Sequence, residues 1–183
     1  ALKTTDILCH ANLKQYAELV KYLSHNNMDN IILEKLFSEL MVGENLKTAI
    51  SIKASLEEMP KYMASRLMDY FVTRNLPLRK QPWIYNGIVA VLDFQDYSGQ
   101  QLAIDIQCSL DGYFLTFFNR TDKQLPENML SLPVIAELQY NEHWGRYTPK
   151  NGRFGFNEEK KVKELAVRIA NEVAAVINNP ENK

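Results

Sequence analysis

The stretch Gln100–Phe118, QQLAIDIQCSLDGYFLTFF, indicates two neighbouring strands and the turn between them. Successive side chains of a strand point to opposite faces of a sheet. Here the even positions from 102 to 110 are all apolar, whereas the odd positions include Asp105 and Gln107. The Asp111-Gly112 dipeptide is typical of two-residue hairpin turns. The stretch therefore predicts an antiparallel hairpin with one apolar face and one face that carries a carboxylate.

Elements on both sides of this hairpin follow from the same kind of pattern. Alternation predicts strands at 88–95, 101–110 and 113–120, and the Asn151-Gly152 dipeptide predicts a further hairpin. Upstream of about residue 76 the apolar period is that of helices. Helices are predicted after Thr5 or Asp6, from Asp29 to Gly43, at 44–53, and from Pro60 to about Thr73. A short helix interrupted near Pro133 is predicted within 129–140.

The last predicted helix, Glu158 to about Asn178, has one apolar stripe at helical spacing. Its members are Val162, Leu165, Ala166, Ile169, Val173, Val176 and Ile177. Packing this stripe on the apolar strand face buries both surfaces. We therefore expect an α+β fold in a single domain, residues 1–183. Residues 1–75 are mostly helical, and 83–183 form a mainly antiparallel sheet with the C-terminal helix packed on it.

The opposite face of the predicted sheet combines acids, aromatic residues and an arginine. If the first hairpin turns near Gly99, Asp93 lies opposite Asp105, and a two-residue turn at 111–112 places Asp105 opposite Phe118. Facing carboxylates repel unless a cation or a proton separates them, so we expect a cationic or hydrogen-bonding partner beside them. The candidate binding residues of this face are Asp93, Asp105, Gln107, Phe114, Phe118 and Arg120.

A local pattern on this face suggests a catalytic alternative. Asp93, Asp105 and Gln107 resemble the Asp…(Asp/Glu)-x-Lys pattern that PD-(D/E)xK nucleases carry on adjacent strands, with Gln107 at the position of the lysine. In that family the acids hold a divalent metal ion that activates water. The resemblance implies Mg²⁺ or Mn²⁺ at Asp93 and Asp105, with Glu58 or Glu57 as a further acid.

The segment HWGRYTPKNGRFGF, residues 143–156, forms a second candidate surface. It interleaves aromatic residues with basic ones, and its candidate binding residues are Trp144, Arg146, Lys150 and Arg153. This composition is typical of surfaces that stack on single-stranded nucleic acid or dock an acidic partner. The alternative is a hairpin whose aromatic rings cover the core while its basic groups are solvated.

The order of predicted elements from about Pro60 to Asn178 gives a topological resemblance. A helix, three antiparallel strands, a short helix, a hairpin and a long helix are similar to the small α/β modules of type III secretion chaperones and their relatives. Those proteins are non-enzymatic, and many dimerise and bind partner chains. The resemblance implies a protein partner and a homodimer, and it assigns no site residue.

Composition excludes several classes of function. The net charge of −1 provides no global field for nucleic acid or membranes. Cys9 and Cys108 form no Cys-x-x-Cys pair, the three histidines have no metal-binding spacing, and no glycine-rich phosphate motif occurs. No run approaches the roughly 18 apolar residues of a membrane span. We expect a cytoplasmic protein without a membrane segment or cofactor, and with Cys108 as a buried apolar side chain.

The leading hypothesis is a non-catalytic intracellular protein-binding module that acts through one face of its sheet. Chaperones, adaptors and toxin-neutralising immunity proteins are of this kind. The first alternative is a metal-dependent nuclease of the PD-(D/E)xK type. The second alternative is nucleic-acid binding through residues 143–156.

Overall fold

The computed structural model describes residues 38, 41–122 and 124–179. Contacts divide the chain into two units, residues 1–53 and 54–183. The helix predicted after Thr5 or Asp6 lies outside the described residues. Of the helix predicted from Asp29 to Gly43, residues 38 and 41–43 are described. The first described helix, α1, spans Asn45–Val72.

Helix α1 is continuous, although the sequence predicts one helix at 44–53 and another that begins at Pro60. Pro60 lies inside the helix, where its ring removes one backbone hydrogen bond at a cost of about 3 kcal/mol. The residues that follow offset this cost through burial: Met63, Ala64, Leu67 and Phe71 are at most 4% exposed. Tertiary burial therefore outweighs the local helix-breaking signal of the proline.

Within the described residues, six strands form one antiparallel sheet in the order β1-β2-β3-β4-β6-β5. The strands are β1 (Trp83–Tyr85), β2 (Val89–Asp93), β3 (Leu102–Ser109), β4 (Gly112–Asn119), β5 (Leu138–Asn141) and β6 (Arg146–Pro149). Two short helices, α2 (Glu127–Leu130) and α3 (Pro133–Ala136), precede β5. A 3₁₀ turn, Phe156–Glu158, leads into the long C-terminal helix α4 (Glu159–Ile177).

The core lies between the apolar face of the sheet and helices α1 and α4. The side chains at the even positions of β3 are fully buried, as are Leu115 and Phe117 of β4. Seven residues of α4 are buried against them: Val162, Ala166, Ile169, Ala170, Val173, Ala174 and Ile177. The predicted α+β class and the packing of the C-terminal helix are confirmed. Cys108 is a buried free cysteine, and burial raises the pKa of its thiol to about 12.

The register between β2 and β3 differs from the prediction by two residues. Asp105 pairs with Val91, and Asp93 pairs with Ala103, so the predicted pairing of the two acids is wrong. Tyr97 bridges Gln100 around the turn at 98–99. The next pair inward is residues 94 and 102, so β2 has one more residue than β3 in between. This bulge restores the alternation that keeps apolar side chains in the core.

The register between β3 and β4 also differs from the prediction by two residues. Ser109 pairs with Gly112, and Asp105 pairs with Thr116 rather than with Phe118. Gly112 follows the turn with φ +108° and approaches a third segment of backbone, because Tyr113 and Phe154 exchange hydrogen bonds of 2.8 and 2.9 Å. A Cβ added at Gly112 would overlap the backbone oxygen of Phe154. A contact distant in sequence therefore fixes this turn.

The hairpin predicted at Asn151-Gly152 is wrong. Strand β6 pairs instead with β5 through a turn at 142–145. Gly152 lies in a second turn, closed by its N–H to the carbonyl of Pro149, after which Phe154 rejoins β4. The prediction failed because the apolar run that contains β5 was assigned to a helix.

Candidate functional site

The face of the sheet opposite α1 and α4 holds an open groove of about 770 Å³. The central strands contribute Val89, Asp105, Gln107, Phe114 and Thr116. The β1 side contributes Tyr85 and Asn86, and the β6 side contributes Trp144, Arg146 and Arg153. The groove therefore combines aromatic rings and two guanidinium groups with one central carboxylate.

Asp105 lies at the centre of this face and is mostly buried. Its cross-strand neighbours, Val91 and Thr116, are themselves buried. Oδ2 lies 3.4 Å from Nη1 of Arg146, whereas Oδ1 is shielded from solvent and has no hydrogen-bond partner within the described residues. Burial raises the pKa of Asp105, although the guanidinium groups of Arg120 and Arg146 partly oppose this effect. The carboxylate is therefore incompletely compensated.

Arg146 reaches Asp105 from β6, which pairs with the far edge of β4. Its Cζ lies 4.1 Å from the ring centroid of Phe118, and its Nη1 also donates to Oγ1 of Thr116 at 3.3 Å. Both polar contacts are long, and the side chain is 37% exposed. The ring of Phe118 thus supports a guanidinium whose outer side remains accessible.

Asp93 forms a second, fully paired charge cluster beside the groove. Its Oδ1 accepts a hydrogen bond from Arg120 at 2.9 Å, and its Oδ2 accepts from Trp83 Nε1 at 2.8 Å and from Lys80 Nζ at 2.9 Å. Burial alone raises the pKa of Asp93, but these three donors outweigh it and the pKa is lowered. Arg120 also lies 3.9 Å from Oδ1 of Asp105. The expected cation beside the acids is therefore present.

Two aromatic residues, Phe114 and Trp144, form one wall of the groove. The rings of Phe114 and Trp144 meet edge to face at a centroid distance of 6.4 Å, and Trp144 is 56% exposed. Arg153 lies over the ring of Phe114 at 5.5 Å and donates through Nη1 to Ser109 at 3.0 Å and to Asp111 at 3.4 Å. The wall therefore presents apolar surface and positive charge together.

The structure gathers most of the predicted candidates and separates the rest. Asp105, Gln107, Phe114, Trp144, Arg146 and Arg153 line the groove. Asp93 and Arg120 line a neighbouring depression of about 370 Å³, and Phe118 is buried beneath the two guanidinium groups. Lys150 lines neither cavity, because its Nζ donates to the carbonyl of Ala136 at 2.6 Å.

Strand β1 and its turn were not predicted, and together with Lys80, which precedes the strand, they supply the missed residues of both depressions. Tyr85 lines the groove, and Trp83 and Lys80 hold Asp93. Asn86 and Gly87 both have positive φ, of 49° and 76°, the conformation that Asn-Gly adopts in tight hairpins. This dipeptide was the sequence signal from which the additional strand could have been predicted.

The acids proposed for metal binding are arranged differently from a metal centre. Glu58 lies on α1, is exposed, and pairs with Lys61 at 2.7 Å. The buried residues of α1 pack on the apolar face of the sheet, opposite Asp93 and Asp105. Among residues 38, 41–122 and 124–179, no three His, Cys, Asp or Glu side chains lie close enough together to hold a metal ion.

Comparisons with protein-family models, with curated proteins and with solved structures each found no match. Within the described part of the chain, none of the helices combines the length and the hydropathy needed to cross a bilayer.

Proposed function

We propose that this protein is a non-catalytic protein-binding module whose open sheet face receives a segment of a partner chain. The composition of the groove supports this proposal. Tryptophan, tyrosine and arginine are the residue types that dominate the binding energy of protein interfaces. All three line this groove, as Trp144, Tyr85, Arg146 and Arg153.

The observation that carries the proposal is the exposure of two large aromatic side chains around a charged centre. Tyr85 is 53% exposed on the β1 side, and Trp144 is 56% exposed on the β6 side. Between them lies the incompletely compensated carboxylate of Asp105. Exposed apolar patches with polar surroundings are typical of interaction sites. A bound segment would bury both rings and complete the hydrogen bonding of the groove.

The nuclease alternative has less support. A metal-dependent nuclease needs carboxylates that are free to bind the metal ion. Both oxygens of Asp93 accept hydrogen bonds from cationic or indole donors, and Arg120 lies between Asp93 and Asp105. The position that a metal ion would need is therefore close to a guanidinium group.

Nucleic-acid binding through 143–156 remains the second alternative. Trp144, Arg146 and Arg153 share the groove, whereas Lys150 is engaged with the carbonyl of Ala136. The segment thus brings two of its three candidate cations into the groove, while the third lies outside it.

Site-specific photo-cross-linking tests the protein-binding proposal. A photoreactive phenylalanine analogue replaces Tyr85 in the full-length protein, which is expressed in its source cell. The matched control carries the analogue at Tyr62, which is 64% exposed on α1. We expect a discrete protein adduct at position 85 that is absent at position 62 and is lost when Trp144→Ser is added. Equal labelling at both positions, or none at position 85, would contradict the proposal.

The proposal extends to location and assembly. We propose a cytoplasmic protein, supported by a sequence without a disulfide framework and by the buried, free Cys108. Homodimerisation, as the topological resemblance implies, is a further proposal. Cell fractionation tests the first, and sedimentation of the purified protein over a range of concentrations tests the second.

A further inference from the structure

The two guanidinium groups of the groove retain unused hydrogen-bond donors. Arginine has five N–H donors in a planar fork. Within the described residues, the hydrogen bonds of Arg146 and Arg153 all use Nη1. Each guanidinium rests on an aromatic ring, Phe118 and Phe114 respectively. Their orientation is therefore supported, while Nε and Nη2 make no hydrogen bond within the described residues.

The charge of the groove favours an anionic ligand. Among the described residues its lining includes the cations Arg146 and Arg153 but only one carboxylate, that of Asp105, while Asp111, which pairs with Arg153, lies outside the lining. The ion pairs of Arg146 with Asp105 and of Arg153 with Asp111 are both long, at 3.4 Å, and the side chain of Asp111 is 80% exposed, so neither guanidinium is closely neutralised. The whole chain has a net charge of −1, so the attraction of an anion would come from these two local guanidinium groups. A carboxylate suits this arrangement, because arginine binds carboxylates in a planar, bidentate geometry.

The surroundings favour a peptide over a nucleic acid. A polynucleotide carries a charge at every phosphate and binds through several cations along its path. Among the described residues the groove lining offers two cations, and each already lies near a carboxylate, Asp105 for Arg146 and Asp111 for Arg153. Tyr85 and Trp144 provide apolar contact area at the two sides of the groove. A segment with one or two acidic residues beside an apolar or aromatic one matches both features.

We infer that the groove recognises an acidic segment of a partner protein, whose carboxylates bind Arg146 and Arg153 while a neighbouring apolar side chain packs on Phe114 and Trp144. This inference rests on the proposed function and adds the chemistry of the partner. The planar fork of arginine can bind a carboxylate through two hydrogen bonds, so Arg153→Lys would retain the charge but bind less well.

Peptide binding to the full-length protein tests this inference. The probes are fluorescein-labelled twelve-residue peptides that contain Asp or Glu beside Phe or Trp, each matched by a copy with Asn or Gln. We expect the acidic peptides to bind at least roughly tenfold more tightly than their amide copies, the effect of losing a charge-assisted hydrogen bond. Anisotropy titrations measure both affinities, and added salt should weaken only the acidic set.

Protein variants assign the effect to the groove. Arg153→Gln and Arg146→Gln should each weaken the acidic peptides by about tenfold, whereas Arg168→Gln, on the exposed side of α4, should not. Because Arg146 also contacts Asp105, thermal melting checks that its variant is folded. Arg153→Glu is the decisive variant: it should transfer the preference from the acidic peptides to a third set of copies in which Asp or Glu is replaced by Lys.

The outcomes separate this inference from the proposed function. Equal binding of acidic and amide peptides, or an unchanged preference in Arg153→Glu, would overturn the acidic ligand even if Tyr85 still cross-links to a protein. Tighter binding of a single-stranded oligonucleotide of twelve thymidines than of any peptide would overturn it in favour of nucleic acid. Absence of both peptide binding and cross-linking at Tyr85 would overturn the inference and the proposed function together.

Discussion

The guanidinium of Arg146 lies over the ring of Phe118, with 4.1 Å between its Cζ and the ring centroid. Arg120 approaches the same ring at 5.2 Å and donates to Asp93. Cations placed over aromatic rings are stabilised by the negative face of the ring. The ring of Phe118 thus helps to hold two like charges on one sheet face. The ring on β4, Arg146 on β6 and the acids on β2 and β3 together link four strands.

Asp93 should stabilise the fold at neutral pH. Burial raises its pKa, but the hydrogen bonds from Trp83, Lys80 and Arg120 lower the pKa by a larger amount, so the net shift is downward. A carboxyl of lowered pKa contributes stability above its unfolded pKa and loses it as the pH falls through the folded pKa. Asp93→Asn should therefore reduce the free energy of unfolding by about 1–3 kcal/mol at neutral pH, and the difference should shrink under acid conditions.

Asp105 should behave in the opposite way. Burial raises its pKa, so the ionised form destabilises the folded state, and this penalty is relieved as the pH falls through the folded pKa towards the unfolded value. Asp105→Asn should therefore leave the free energy of unfolding within about 1 kcal/mol of the parent or above it at neutral pH. Urea unfolding of both variants across the acid range measures the contrast, and equal losses in the two would refute it.

The packing of α4 predicts a strong and position-specific effect. Ile169 is fully buried in the core, so Ile169→Asp places a carboxylate in an apolar environment and should cost several kcal/mol, about the whole stability of a small domain. Asn171→Asp, at an exposed position of the same helix, should change the free energy of unfolding by less than about 0.5 kcal/mol. Thermal melting measures both. An unchanged melting temperature in Ile169→Asp would show that the helix packs through another face.

Gly112 should tolerate alanine much less than Gly152 does. Both have positive φ, which costs a non-glycine residue about 1–2 kcal/mol. At Gly112 the added Cβ also overlaps the backbone oxygen of Phe154, whereas at Gly152 nothing lies within 4 Å. We expect Gly112→Ala to lose at least about 2 kcal/mol more than Gly152→Ala, because backbone must move. Similar losses in chemical denaturation would indicate that the Tyr113–Phe154 pairing does not constrain the turn.

Divalent metal ions should not stabilise this protein. A ligand that binds only the folded state raises the melting temperature, but Arg120 lies between the two acids and Asp93 is already paired. Millimolar Mn²⁺ should leave the melting temperature unchanged, and DNA and RNA should not be cleaved. A metal-dependent increase that disappears in Asp105→Asn would favour the nuclease alternative instead.

Part of the candidate site could be predicted because it depends on strand alternation alone. Asp105, Gln107 and Phe114 share one face whichever even register the strands adopt, since a shift of two residues does not exchange the faces. Their partners could not be predicted in the same way. Arg146 reaches Asp105 only because β6 pairs with β4, and Trp83 reaches Asp93 only because β1 folds back at Asn86-Gly87.

The sequence by itself determined the α+β class, the central hairpin and the buried stripe of α4. Each of these follows from periodicity within a few turns of helix or a few residues of strand, and burial of the apolar face is the dominant energy. The tertiary structure alone decided the register, the continuity of α1 through Pro60 and the positions of Arg146 and Lys150. Those depend on a bulge before the 98–99 turn, on burial, and on contacts such as Tyr113 with Phe154, which lie 41 residues apart along the chain. Such contacts leave no periodic trace in the sequence, because their energy appears only when distant segments meet.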